Sequence, residues 1–218
     1  MKFALYGGER VEAEATLKGA LCPVCDAVVI AKCGDKNIHH WAHKSNKECP
    51  HWWENETQWH RDWKNHFPID WQEVVLYNSE TGEKHIADIK TPNGLVVEFQ
   101  HSSIEKKEVS TRNAFYKNII WIVDGKRRKY DERNFSKGNS RLINEWENTG
   151  KLVFFDFGER ATYLKPNRSG DYKIGSTHKK DLIWWINYVS RWGNLSGKVN
   201  QRLIDGVKYG TGIRGDKL

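Results

Sequence analysis

The chain has little of what marks a membrane or secreted protein. No apolar run in its 218 residues approaches the roughly 20 residues a bilayer-spanning helix needs. No basic-then-apolar leader opens it. Only four cysteines are present, all before residue 50, which excludes a disulfide framework running through the chain. There is a single methionine, the first residue, so the core must rest on other groups, and 11 Trp, 8 Tyr and 8 Phe supply the bulky apolar surface. There is no internal repeat and no phosphate-binding glycine loop. These absences predict a soluble, cytoplasmic protein with one medium-sized domain and a small appendage.

The chain has few acids for its bases. Thirty-five Lys and Arg against 28 Asp and Glu leave a formal charge of +7. Excess positive charge suits a polyanionic partner, DNA above all, and serves ordinary solubility equally well.

The scarce cysteines are concentrated. Cys22, Pro23, Val24 and Cys25 form a tight turn, Cys33 follows, and Cys49 stands six residues beyond His43. Zinc takes four thiolate or imidazole ligands at tetrahedral corners, and a Cys-x2-Cys turn supplies two from one loop. The spacing predicts Cys22, Cys25, His43 and Cys49 as the ligands, with His40 in reserve and Cys33 left as a thiol. A segment this small would draw much of its stability from the metal, on the order of 10 kcal/mol.

The chain is organised around Lys84 to Ser103. This stretch reads as two strands joined by Pro92, Asn93 and Gly94, a three-residue loop ending in a left-handed glycine. That register sets Asp88 opposite Glu98. Alternation places Asp88, Lys90, Glu98 and Gln100 on one face and Ala87, Ile89, Leu95, Val97 and Phe99 on the other. Opposed like charges destabilise a sheet, and a divalent cation is the simplest offset.

Before the hairpin, residues from Pro50 to Phe67 have helical spacing, with Trp52, Glu56, Trp59, Trp63 and Phe67 on one stripe. Glu56, His60 and Lys64, at i, i+4 and i+8, share a second face. A solvated charge ladder explains that face too, unless the helix lies beside the hairpin and aims Glu56 at Asp88 and Glu98. Pro68 ends the helix, and Trp71 to Tyr77 reads as a strand. After the hairpin, Ser102 and Glu105 have the spacing of a capping box for a helix running to about Lys117. In it Arg112 and Tyr116 share a face, and Arg112 could grip a phosphate or pair with Glu108. Asn118 to Val123 is apolar throughout, as a buried parallel strand requires. Lys126, Arg127 and Arg128 form a basic loop able to touch a nucleic-acid backbone. A short helix over 141–148, strands over 151–157 and 161–164, a linker over 165–177 and a helix over 178–192 complete the reading, with the last residues disordered. The order of elements predicts a mixed β-sheet flanked by helices.

The succession of CPVC, HHWAHKS, Cys49, ENETQWH with Lys64, IADIK, VVEFQHSSI, Arg112 with Tyr116, and IIWIVDG resembles the competence protein CoiA-like family. The resemblance runs over residues 15–125. It implies an α/β restriction-endonuclease-like PD-(D/E)XK core with an N-terminal zinc-finger-like module; the chain as a whole reads as that module over residues 1–50, the core over 51–165 and a C-terminal helical extension over 166–218. It further implies that Asp88 and Glu98 hold a catalytic Mg²⁺ or Mn²⁺, with Glu56 completing the shell and His60 and Lys64 beside it. Gln100 stands where the signature has lysine, so Lys64 or Lys90 would provide the cation near the attacking water. The function implied is Mg²⁺-dependent DNA hydrolysis. The alternative is a non-catalytic zinc-containing nucleic-acid-binding module on a nuclease fold.

Overall fold

The structure is a computed structural model that describes residues 1–44, 49, 56–137, 140–167 and 172–192. Trp52, the Pro50 start of the sequence-predicted helix and the last residues expected to be disordered lie outside the described residues.

Three consecutive strands, β7 (Val96–Gln100), β8 (Ile119–Asp124) and β9 (Leu152–Asp156), run parallel and are buried at every position. Their near-continuous apolar runs are what a strand covered on both faces needs. Antiparallel strands flank them, β5 (Gln72–Tyr77) and β6 (Lys84–Lys90) on one side, β10 (Arg160–Pro166) and β11 (Tyr172–His178) on the other. The seven-stranded order is β11-β10-β9-β8-β7-β6-β5.

Side-chain alternation sends the sheet into two cores. On one face Ile89, Val97, Phe99, Ile120, Ile122 and Phe154 meet Trp63 and Phe67. Leu182, Trp185 and Ile186 of helix α5 (Lys179–Trp192) pack there as well. Trp63 belongs to helix α1 (Gln58–Lys64). On the other face Val96, Trp121, Val123, Val153 and Phe155 meet three helices, α2 (Lys106–Tyr116), α3 (Asp131–Ser136) and α4 (Arg141–Trp146). Ala87 joins this second cluster rather than the Ile89 face. The β6–β7 ladder stops at Ile89↔Val97, so the alternation read from the sequence does not carry through to Ala87.

The N-terminal module is built from two small hairpins. Strands β1 (Phe3–Tyr6) and β2 (Glu9–Glu12) are joined by Gly7 and Gly8, both at positive φ, 60° and 88°, as a two-residue hairpin turn demands. Strands β3 (Val29–Lys32) and β4 (His40–His43) pair from Val29↔His43 to Lys32↔His40. The module's core of Ala4, Cys22, Val29, Trp41 and Cys49 packs on Val75 and Ile86, so it sits on the β5–β6 edge of the large sheet.

Four sequence expectations are corrected. Residues 172–178 are not linker but edge strand β11, paired with β10 from Arg160↔His178 to Pro166↔Tyr172. Gly175 makes this possible, because a Cβ there would stand 2.2 Å from the Tyr163 ring. The division at 165/166 therefore falls inside β10, and α5 belongs to the main core. Helix α1 begins at Gln58, with Thr57 as N-cap. Thr57 accepts from the His60 amide, and its own amide donates to His60 Nδ1. Glu56 thus precedes the helix. Finally, α2 starts at Lys106 behind Glu105, which makes no side-chain cap bond, so the Ser102–Glu105 box is not formed.

Candidate functional site

Thr91, at the end of β6, donates its amide to Leu95, and Gly94, at φ 83°, closes the three-residue loop. The register Ile89↔Val97 then sets Asp88 across from Glu98. On the other side, Gln72↔Ile89 and Val74↔Ala87 set Glu73 across from Asp88. Three acids therefore stand in a row over three neighbouring strands. Backbone pairing gives way along this row. The Asp88 amide donates to Glu98 Oε1 (3.1 Å), and the Phe99 amide donates to Asp88 Oδ2 (3.0 Å).

Two cations, Lys64 and Arg112, pair with the row. Lys64 Nζ lies 2.9 Å from Glu56 Oε2, 2.8 Å from Glu73 Oε1 and 3.0 Å from Asp88 Oδ1. Burial opposes the Lys64 charge, but Asp88, Glu56 and Glu73 outweigh it and hold the pKa well above the usual lysine value. Burial would also raise Glu56 and Glu73, yet the Lys64 charge holds both low, Glu73 at about 2. Arg112 Nη1 donates to Glu98 Oε2 (2.9 Å), and its Nη2 pairs with Glu108. Burial and the Asp88 charge nevertheless push Glu98 up to about 8, against the lowering effect of Arg112.

The site thus brings together Asp88, Glu98, Lys64 and Glu56, with Gln100 on the same strand as Glu98. Glu56, Asp88 and Glu98 do not form a metal-type cluster; among the described residues the group placed to hold a metal ion is Cys22, Cys25, His43 and Cys49, whose ligand atoms all lie within 4.8 Å of one another. Lys64 stands between Glu56 and Asp88 instead. The fit to a hard cation is best at Asp88, Glu98 and Gln100. All three offer oxygen, and Gln100 Oε1 is buried without a hydrogen-bond partner among the described residues. His60 Nδ1 is 2.8 Å from Thr57 Oγ1, which ties the ring to the helix cap, and the ring lies edge-on to Trp59 and His101.

The proposed phosphate-contacting residues are largely turned inward. Arg112 is buried against Glu98, and Tyr116 is buried with its hydroxyl donating to Ile86 O. Both brace the acidic row. Arg127 pairs with Glu145, and Arg128 with Asp131 and Glu145. Lys126, by contrast, is exposed. Sequence reasoning missed Glu73. Its one sequence signal was a Glu set, with Gln72, at the head of the apolar run Val74, Val75 and Leu76.

The Cys/His set has the geometry of a zinc centre. Cys22 Sγ and Cys49 Sγ are 3.9 Å apart, and Cys25 Sγ and His43 Nε2 are 3.4 Å apart. Zinc–sulfur bonds of about 2.3 Å at tetrahedral angles give ligand separations of about 3.8 Å. Burial raises the thiol pKa of Cys22 and Cys49, so their thiolates need a compensating cation. The four side chains could hold zinc. His40 is turned away, its Nδ1 on Ile38 O, and Cys33 contacts Ala13 O.

Residues 9–51 match the Competence protein CoiA, N-terminal domain, and residues 84–167 match the Competence protein CoiA, nuclease-like domain. The chain belongs to the CoiA-like competence protein family. No curated protein and no solved structure matches it. The CoiA N-terminal match contains all four zinc-type ligands, and the CoiA nuclease-like match contains Asp88, Glu98, Gln100 and Arg112. Glu56, Lys64 and Glu73 fall between the two CoiA matches, where the chain joins module to core.

Proposed function

We propose that this protein is a Mg²⁺- or Mn²⁺-dependent nuclease that hydrolyses DNA phosphodiester bonds in competence, recombination or defence. The carrying observation is the facing pair Asp88 and Glu98. Glu98 is a buried carboxylate whose ionisation is resisted, next to the unsatisfied oxygen of Gln100. A divalent ion held by these oxygens would acidify a bound water and offset charge on the scissile phosphate. The chain's own residues do the rest. Arg112 fixes the Glu98 carboxylate from one side, and Lys64 pairs with Asp88 from the other. Gln100 orients water or phosphate through its carboxamide but brings no charge, so the positive charge beside Asp88 comes from Lys64. Exposed Lys126 supports binding of the DNA backbone, with affinity that falls as salt rises.

The test is cleavage of plasmid and single-stranded DNA with Mg²⁺ by the wild type and by Asp88→Asn. Loss of cleavage in the variant is expected; equal activity in both defeats the proposal. A second reading, a DNA-binding module without turnover, is favoured by the way Lys64 already occupies the space between Glu56, Glu73 and Asp88. It predicts binding that survives EDTA and no cleavage with any divalent ion.

A further inference from the structure

Glu73 stands where the N-terminal module meets the acidic row. Its backbone φ of 46° is uncommon for a residue with a side chain, and it interrupts the β5–β6 ladder between Gln72↔Ile89 and Val74↔Ala87. On the module side its carboxylate accepts from the backbone amides of Lys2 (2.7 Å to Oε1) and Phe3 (3.0 Å to Oε2). On the site side Oε1 accepts from Lys64 Nζ, which also reaches Asp88. The contacts continue into the module. The Trp41 amide donates to Met1 O (2.9 Å), and Trp41 precedes His43 of the Cys/His set by two residues on β4. Trp41, Lys2, Glu73 and Lys64 are all buried, so the links from Trp41 to Lys64 are shielded from water, where such contacts are strongest, and only Asp88 at the end is partly exposed.

We propose that Glu73 is a positioning residue through which the Cys/His module sets Lys64 against Asp88; the inference rests on the nuclease reading of Asp88. The physical basis is competition for donors. While the module is ordered, two amides satisfy Glu73, and Lys64 is shared with Asp88. When those amides withdraw, the buried Glu73 carboxylate has only Lys64 left and draws it away from Asp88. Zinc occupancy some distance from the hairpin thereby governs the charge balance at the hairpin.

The experiment is hydrogen–deuterium exchange on the full chain, zinc-loaded and EDTA-stripped, together with zinc-loaded Glu73→Gln and Glu73→Asp. Stripping is expected to speed exchange fivefold or more, an ordinary coupling size, in residues 2–6, 58–64 and 84–90, while β8 and β9 stay protected. Zinc-loaded Glu73→Gln should show the same acceleration over 84–90 at wild-type zinc content. Glu73→Asp, one methylene shorter, should fall between, and it carries the comparison if Glu73→Gln does not fold. Acceleration confined to residues 1–44, acceleration spread equally over β8 and β9, or wild-type exchange over 84–90 in the variants would each overturn the proposal. Mn²⁺ binding followed by electron paramagnetic resonance separates the two readings. Mn²⁺ binding indifferent to Asp88→Asn sinks the nuclease reading and leaves the exchange result to decide the coupling.

Discussion

Lys64 Nζ lies 3.0 Å from Asp88 Oδ1, and that one ammonium also serves Glu56 and Glu73. A lysine 2% exposed, surrounded by three carboxylates, is held there by charge. Removing it strands the buried carboxylates of Glu56 and Glu73 and leaves the partly exposed Asp88 without its cation.

Lys64→Met should therefore destabilise the protein by about 3–5 kcal/mol at neutral pH, measured by urea unfolding. Lowering the pH should recover part of that loss, because protonation then relieves the stranded carboxylates. A variant as stable as the wild type at pH 7 would mean that the carboxylates are satisfied in another way.

The wild type should show two opposed pH limbs. Glu73 has its pKa lowered to about 2 from the ordinary 4.5. Its stabilisation is complete above pH 4.5 and is lost as pH falls toward 2, a loss of about 3 kcal/mol. Glu98 has its pKa raised to about 8, so its native form holds a proton that the unfolded chain has released. Its contribution is present below pH 4.5 and is lost as pH rises through 8. Unfolding free energy measured from pH 2 to 9 should peak near pH 5. Glu73→Gln should flatten the acid limb, and Glu98→Gln the alkaline one.

Metal analysis of the protein purified without chelator should find one zinc per chain. Cys25→Ser should lose it and lower the melting temperature, because much of the module's stability comes from the metal. Cys33→Ser should keep the zinc, since Cys33 contacts Ala13 O instead of the ligand set.

DNA affinity should separate the two kinds of basic residue. Lys126→Ala should reduce the salt slope of binding by about one. Arg112→Lys should leave that slope unchanged and instead destabilise the fold, because a lysine cannot reach Glu98 and Glu108 together with one planar fork.

The central hairpin could be read from the chain because its turn chemistry is local. Gly94 fixes the loop, the loop fixes the register, and the register sets Asp88 against Glu98. The zinc-type ligands were legible for a similar reason, since a Cys-x2-Cys turn constrains its own geometry. Glu73 was hidden because its role depends on which strand lies beside β6, and strand order is a long-range fact. Arg112 read as a phosphate contact or a partner of Glu108; the Glu108 pair forms, and Glu98 was not foreseen because helical spacing says which residues share a face, not what that face meets. The β11 strand was hidden in Pro-, Gly- and Ser-rich sequence, whose Gly175 lies under the Tyr163 ring in the paired strand.

The most direct test of the account is a crystal of the protein soaked in Mn²⁺, examined by anomalous scattering. The account predicts an ion bound by Asp88 and Glu98, with Gln100 Oε1 turned toward it, and no such ion in Asp88→Asn. Mn²⁺ absent from the hairpin while DNA is cleaved, or bound there identically in Asp88→Asn, would contradict it.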